Sequence, residues 1–295
     1  MLSDAQFQAL LDARAFHPTR IAEAAGARRR RTTTTAADGR LFLIAADHAA
    51  RGVLKAGDHP MAMADRRTLL ERIMLALSQP GVDGLLASPD VIDDLLLLDA
   101  LHDKVVIGTM NRGGIAGAVW ELDDAFTAYD TAAIDAQHLD GGKMLLRLDY
   151  QDRGTLRTVE ACAAAVSALS SAHKLALLEV LPAQRDASGA LAVLKDADAM
   201  IKGITIASGL GTSSAFTWLK IHVTADMERV MSATTLPTLL LGGDPGTRAA
   251  EVFAGWRNAL AIPQIRGLVA GRALLYPADG DVVRAVRDAA AIVHQ

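Results

Sequence analysis

The chain has 295 residues, 51% of them hydrophobic, so it can form one large domain with a substantial core. Its formal net charge of −4 argues against a nucleic-acid-binding protein, which usually carries a basic face. Cys162 is the only cysteine, which excludes an internal disulfide, and its Ala-rich surroundings predict a buried helix thiol. The absence of a signal-peptide pattern and of an apolar run of roughly 20 residues predicts a cytoplasmic protein without membrane contact.

The first 40 residues are predicted to form a helical extension, with helices over 6–16 and 19–29. The only basic run in the sequence, Arg28 to Arg31, falls at the end of the second of these helices. We interpret this run as a solvated helix end, and an anion-binding arm is the alternative.

Residues 41–295 alternate between short apolar runs and longer stretches with helical spacing. The runs are almost continuously apolar, as parallel strands buried on both faces are. They cover 41–46, 84–87, 105–108, 144–148, 175–180, 218–223, 238–241 and 267–270. Eight strand–helix alternations without a hairpin signal predict an α/β fold, a single (β/α)8 TIM barrel, for which roughly 250 residues suffice. An open doubly wound sheet is the alternative, but the first run lacks the glycine-rich phosphate loop that usually follows there.

Lys220 is the most informative residue, because it lies inside a predicted strand. Side chains alternate between the two faces of a strand, so Trp218, Lys220 and His222 share the face towards the barrel axis. Such a buried lysine either pairs with a carboxylate or loses its proton. An uncharged buried lysine is the nucleophile of Schiff-base chemistry, and a structural ion pair is the alternative. His222 is interpreted first as a hydrogen-bonded core residue, with a substrate contact or a proton relay as alternatives.

Other ionisable residues lie on or just after predicted strands. Lys143, Arg147 and Asp149 share the inward face of the fourth strand. Glu179 lies near the end of the fifth strand, and Asp47 directly follows the first. Catalytic groups of barrels cluster at the carboxyl ends of the strands, so these residues are candidates for a catalytic or substrate-binding site.

Glycine-rich turns follow the seventh and eighth predicted strands. Gly242, Gly243 and Asp244 follow the seventh, and Gly271 and Arg272 follow the eighth. Loops at these two places commonly bind phosphate in barrels, and an arginine there can make a two-pronged contact. A carboxylate at Asp244 would repel phosphate unless it points away or meets a substrate hydroxyl. The histidines show no zinc-like spacing, so neither a metal nor a cofactor is expected.

An ordered set of these residues resembles the class I aldolases of the tagatose-1,6-bisphosphate and sulfofructose-phosphate aldolase group. The set comprises Asp47, Arg51-Gly52, Lys143, Asp149, Glu179, Lys220, Gly242-Gly243 and Gly271-Arg272. The resemblance extends from about residue 41 onward and implies a Schiff-base lysine at Lys220, an acid/base glutamate at Glu179 and a fourth-strand lysine at Lys143. The sequence departs from the family at two places. Three residues separate Asp47 from Arg51, where the family tends to have a tighter spacing, and Gly242-Gly243-Asp244 stands where relatives tend to have a serine-containing turn.

The likeness is strongest to an aldolase-like branch associated with bacterial inositol catabolism. This implies cleavage of 2-deoxy-5-keto-gluconate 6-phosphate to dihydroxyacetone phosphate and malonate semialdehyde. Tagatose or fructose bisphosphate and sulfofructose phosphate are alternative substrates. Two alternatives belong to other functional classes. One is a sugar-phosphate isomerase or epimerase with Glu179 and Asp149 as proton carriers, and the other is a non-catalytic sugar-phosphate sensor.

In the aldolase hypothesis, Lys143 lowers the pKa of Lys220 by like-charge repulsion, and Glu179 moves protons during dehydration and cleavage. Asp47 orients a hydroxyl or holds Lys143, while Arg272 and the backbone at Gly243 hold the phosphate. The expected partner is a small sugar phosphate, and we expect a homo-oligomer, since barrels often associate through their outer helices.

Overall fold

Eight parallel strands close into a barrel in the computed structural model, which describes residues 2–187, 189–243 and 249–295. The strands of the described chain are β1 (Leu41–Ala46), β2 (Gly84–Ala87), β3 (Val105–Thr109), β4 (Gly141–Leu148), β5 (Leu175–Arg185), β6 (Leu191–Val193), β7 (Thr217–Ile221), β8 (Thr238–Leu241) and β9 (Ile265–Ala270). Their order is β4-β3-β2-β1-β9-β8-β7-β5, and the pairing of β5 with β4 closes the circle. The predicted (β/α)8 barrel is confirmed.

The helices lie between the strands and cover the outside of the barrel. They are α1 (Asp4–Phe16), α2 (Arg20–Ala27), α3 (Arg66–Leu77), α4 (Pro89–Leu97), α5 (Thr131–Ala136), α6 (Arg153–Ser171), α7 (Ala197–Ser208), α8 (Met227–Met231), α9 (Ala249–Ala259), α10 (Arg272–Leu275) and α11 (Val282–Val293). Several begin at an aspartate whose carboxylate accepts a backbone N–H of the first turn, as Asp65 does from Thr68 at 2.7 Å. Within the described residues, no helix combines the length and the apolar character that crossing a membrane requires.

Alternation along the strands separates two hydrophobic layers. In β1, Phe42 and Ile44 pack into the large layer between strands and helices, which also holds Cys162 of α6. Leu41 and Leu43 point the other way and join a smaller cluster inside the barrel. The inner layer fills the lower part of the barrel, so polar inward residues nearer the carboxyl ends of the strands face its mouth.

A β-hairpin at the barrel mouth contradicts the prediction of strands without hairpins. β5 continues beyond the barrel wall to Arg185, and its last residues pair antiparallel with β6. Gly189, in the turn, has a φ of +83°, a conformation that suits glycine. The hairpin was missed because its strands are short and half-exposed, so they lack the apolar run that identified the barrel strands.

The arginine run crosses the amino-terminal end of the barrel and is not a solvated helix end. α2 ends at Ala27, and Arg28 is buried, with its guanidinium donating to the carbonyl oxygens of Lys104 and His138. Arg31 pairs with Asp83 at 2.6 Å. The run therefore ties the N-terminal segment to the bottom of the barrel through charged hydrogen bonds.

The C-terminal His294 joins the same end of the barrel. Its Nδ1 lies 2.7 Å from Asp38 Oδ2, and its Nε2 lies 2.9 Å from the carbonyl oxygen of Gly81 and 3.3 Å from Asp83 Oδ2. Hydrogen bonding to Asp83 outweighs partial burial and, with Asp38, raises the pKa of His294 to about 9. Both ring nitrogens are therefore donors at neutral pH.

Removal of this imidazolium is expected to make stability depend less on pH. An unfolded histidine titrates near 6.5, so His294 stabilises the fold fully below about pH 6.5, and this contribution is lost as the pH rises through about 9. For a partly exposed ring we expect about 1–2 kcal/mol. Urea unfolding of wild type and His294→Gln should differ by this amount near pH 6 and converge near pH 10. The exposed His17→Gln serves as control, and a difference that persists above the folded pKa would contradict the assignment.

Candidate active site

Five buried charged side chains form a continuous line of ion pairs at the barrel mouth. Lys220 Nζ lies 2.9 Å from Glu179 Oε1, and the second carboxylate oxygen of Glu179 contacts Lys143. Lys143 Nζ also lies 3.0 Å from Asp47 Oδ2, and Arg112 Nη1 lies 3.0 Å from that same oxygen. The line holds three cations and two anions, so one positive charge is left uncompensated within it.

Burial and mutual charge determine the protonation of this line. Burial alone would raise the pKa of Glu179, but the ammonium groups of Lys143 and Lys220 lower it far below its usual value. Lys143 and Arg112 have the same effect on Asp47, against the effect of burial. Burial, together with the charge of Arg112, lowers the pKa of Lys143 to about 8. Both carboxylates are therefore ionised at neutral pH, whereas Lys143 can release its proton at a pH only slightly above neutral.

A cavity of about 540 Å³ lies beside the line of charges, and all five residues contribute to its wall. Leu145, Leu181, Val269 and Trp256 supply part of the apolar lining. Lys220 lies on β7 with its side chain in this wall and not in the shell of helices. A buried amine beside a cavity of this size and composition can reach a small bound molecule.

The two glycine-rich turns form another part of the wall. Gly242 and Gly243 follow β8, and Gly271 and Arg272 follow β9. A Cβ on Gly271 would lie 2.2 Å from the carbonyl oxygen of Ala45, so only glycine fits at this position. The backbone of this turn therefore reaches the mouth beside β1, where Arg272 adds a positive charge.

Two neutral histidines and a further arginine also line the cavity. Both ring nitrogens of His222 are buried and have no hydrogen-bond partner among the described residues. Burial, with the charge of Lys195, lowers the pKa of His222 to about 4, and burial lowers that of His48 to about 4 as well. Arg51 donates from Nε to the carbonyl oxygen of Gly114 at 2.8 Å. His222 is therefore not the hydrogen-bonded core residue that its strand position first indicated.

Two predicted site residues, Arg147 and Asp149, lie elsewhere. The guanidinium of Arg147 makes two hydrogen bonds of 2.8 Å to the carboxylate of Asp124, which braces the loop between β3 and α5. Asp149 accepts a backbone N–H through Oδ1 at the turn after β4. Neither residue is among those that line the cavity. Asp244 lies outside the described residues.

The sequence interpretation missed two cations of the cavity wall, Arg112 and Lys195. Arg112 comes three residues after β3, in a polar Asn-Arg-Gly-Gly run whose position after a strand end was a usable signal. Lys195 follows the hairpin, and the turn residues between Asp186 and Gly189 were the only signal for it.

The fold and the site define a (β/α)8-barrel protein with two buried lysines that share one glutamate. The family model described as Cgl0159-like matches residues 39–290, so the chain belongs to the Cgl0159-like family. It is 47% identical to Cgl0159 from Corynebacterium glutamicum, whose crystal structure superimposes with a TM-score of 0.97 over 100% of this chain and 98% of that chain. A search of curated proteins found no match.

More distant structures share the fold. A Schiff-base-forming fructose-1,6-bisphosphate aldolase is 16% identical, with a TM-score of 0.66 over 92% of this chain and 99% of that chain. An archaeal fructose-1,6-bisphosphate aldolase, whose catalytic lysine carries a carbinolamine intermediate, is also 16% identical, with a TM-score of 0.66 over 93% and 100% of the two chains. At this identity the likeness establishes the (β/α)8 fold alone.

Proposed function

We propose that this protein is a class I aldolase that cleaves a keto-sugar phosphate through a Schiff base on Lys220. The observation that carries the proposal is the contact of 2.9 Å between Lys220 Nζ and Glu179 Oε1 at the wall of the cavity in the barrel mouth. Glu179 is a proton acceptor within hydrogen-bond reach of the amine, as covalent catalysis by lysine requires. The fold likeness to Schiff-base-forming fructose-1,6-bisphosphate aldolases supports the same chemistry.

The covalent step begins when Lys220 transfers a proton to Glu179 and its free amine attacks the substrate ketone. The attacking nitrogen loses a proton and the carbonyl oxygen gains one, which gives a neutral carbinolamine. Glu179 then returns its proton to the hydroxyl, which leaves as water, and an iminium ion remains on Lys220. Glu179 can take and return this proton because its carboxylate touches Lys220, and it also touches Lys143. Lys143, with its pKa lowered to about 8, is a proton reservoir on the far side of the same carboxylate.

Cleavage uses the iminium as an electron sink. The hydroxyl on the carbon beyond the scissile bond loses its proton to the carboxylate of Glu179, the C–C electron pair moves towards the iminium, and an aldehyde leaves; the proton on Glu179 is then available to the enamine. The enamine that remains gains a proton at carbon, and hydrolysis of the resulting iminium releases dihydroxyacetone phosphate and free Lys220. Asp47 holds Lys143 in place through the 3.0 Å contact and is itself fixed by Arg112.

For the phosphate we propose the two turns after β8 and β9, where Gly243 and Arg272 line the cavity. Our preferred substrate is 2-deoxy-5-keto-gluconate 6-phosphate, and its place in inositol catabolism stays a prediction. Membership of the tagatose-1,6-bisphosphate and sulfofructose-phosphate aldolase group also stays a prediction. An isomerase or epimerase with Glu179 and Asp149 as its two carriers is disfavoured, because Asp149 does not line the cavity.

Borohydride reduction in the presence of dihydroxyacetone phosphate tests the proposal. We expect a stable mass adduct on the peptide that contains Lys220, and none when either reagent is left out. Because Lys143 also touches Glu179, peptide mapping must separate the two lysines. No adduct on Lys220, or an adduct on Lys143 alone, would overturn the assignment.

A further inference from the structure

We propose that Lys195 and His222 form a subsite for a carboxylate at the end of the substrate that leaves as the aldehyde. This inference rests on the proposed aldolase function and specifies its substrate class. The subsite lies between the hairpin of β5 and β6 and the turn after β8, because His222 directly follows the pairing of Ile221 with Leu240. The strand β8 separates it from the turn after β9, which carries Arg272.

His222 is a buried imidazole in the wall of this subsite. It follows β7 and has the same strand parity as Lys220, so it lies roughly 7 Å nearer the mouth. It is 7% exposed, it lines the cavity, and neither ring nitrogen has a partner among the described residues. A buried imidazole without partners is costly, so a bound ligand is expected to supply the missing hydrogen bond.

Lys195 supplies the charge. It lies in the connection between β6 and α7, lines the cavity and is exposed to solvent. Within the described part of the chain it makes no ion pair, whereas Lys143 and Lys220 are both paired. Its positive charge acts on His222, where it contributes to the lowered pKa. An ammonium without an ion pair among the described residues and a neutral imidazole therefore line the same cavity.

The chemistry of this corner favours a carboxylate over a second phosphate. Among the described residues of this corner, Lys195 is the one cation without a compensating charge. The residue that follows it, Asp196, is a carboxylate. Asp196 already caps α7 by accepting the N–H of Ala199 at 2.8 Å, so the start of that helix does not offer this group to an anion. Glu251 also lines the cavity and adds a further negative charge. A single negative charge is better matched to this balance than a doubly charged phosphate.

Condensation of dihydroxyacetone phosphate with three acceptors tests the subsite. The acceptors are 3-oxopropanoate, propanal as its uncharged counterpart of the same carbon number, and glyceraldehyde 3-phosphate. Wild type is expected to favour 3-oxopropanoate over propanal, and Lys195→Met should raise the KM for 3-oxopropanoate about tenfold while changing kcat/KM for propanal less than about twofold. His222→Leu should reduce the same preference. Lys202→Met, on α7 and outside the cavity wall, is the matched control and should leave both acceptors unaffected.

Each result bears on the inference separately from the aldolase proposal. An equal loss for propanal and 3-oxopropanoate in Lys195→Met would give Lys195 a structural role and overturn the subsite. A preference for glyceraldehyde 3-phosphate that depends on Lys195 would replace the carboxylate by a phosphate and also overturn it. Borohydride trapping with dihydroxyacetone phosphate needs no acceptor, so an adduct on Lys220 without acceptor preference refutes the subsite alone. Absence of that adduct refutes the aldolase, and the subsite with it.

Discussion

Replacement of Lys220 by methionine is expected to reduce kcat for aldol cleavage by about 10⁴-fold or more, because the residue that forms the covalent bond is lost. Methionine has a similar length and removes only the amine. The line of ion pairs has one cation in excess, and Glu179 keeps its contact with Lys143, so the variant should fold with undiminished stability. The release of dihydroxyacetone phosphate, measured with a coupled reductase, checks the activity, and urea unfolding checks the stability.

A parallel Lys143→Met variant separates the nucleophile from its neighbour. It should still form a borohydride adduct on Lys220, with a smaller loss of kcat, because Lys143 acts on the reaction through Glu179. An adduct that survives in Lys220→Met and disappears in Lys143→Met would show that the two roles are reversed. The lowered pKa of Lys143, about 8, makes this control necessary.

Strand parity was sufficient to predict that Lys143, Glu179 and Lys220 come together at the barrel mouth. Lys143, Glu179 and Lys220 lie on neighbouring barrel strands, where a side-chain period of two fixes which face each residue occupies. In parallel pairing, Leu145 lies opposite Glu179 and Glu179 opposite Lys220, so inward residues meet at one level of the barrel. The fold and these contacts follow from a local pattern that the sequence contains in full.

The loops could not be predicted in the same way, because their paths depend on tertiary packing. Arg147 has inward parity like Lys143, yet Asp124 of the loop after β3 covers it and removes it from the cavity. Nothing in the spacing of β4 indicates that this carboxylate arrives from a different connection. Lys195 reaches the mouth only because the hairpin of β5 and β6 redirects the chain. The place of Lys195 in the cavity wall and the absence of Arg147 from it therefore required the structure.

Replacement of Glu179 by glutamine should affect both activity and stability. The isosteric amide cannot take the proton from Lys220, so kcat for cleavage is expected to fall about 10²- to 10⁴-fold. It also leaves the buried ammonium groups of Lys143 and Lys220 without their shared counter-ion. Loss of a buried partner of this kind costs about 3–5 kcal/mol, and the loss is measured by urea unfolding.

The stability loss of Glu179→Gln should be larger at lower pH. Without the carboxylate, the pKa of Lys143 falls below its wild-type value of about 8, while the unfolded lysine still titrates near 10.4. When the pKa of a lysine is lower in the folded protein than in the unfolded protein, the unfolded protein binds more protons. The free energy of unfolding therefore falls as the pH falls. Lys143 keeps its contact with Asp47, so the ammonium left unpaired is that of Lys220. The double variant Glu179→Gln/Lys220→Met removes this ammonium and should recover part of the stability but none of the activity. If Glu179→Gln retained kcat within tenfold of wild type, proton transfer by Glu179 would be excluded. If the double variant were no more stable than Glu179→Gln, the unpaired charge of Lys220 would not be the cause of the loss.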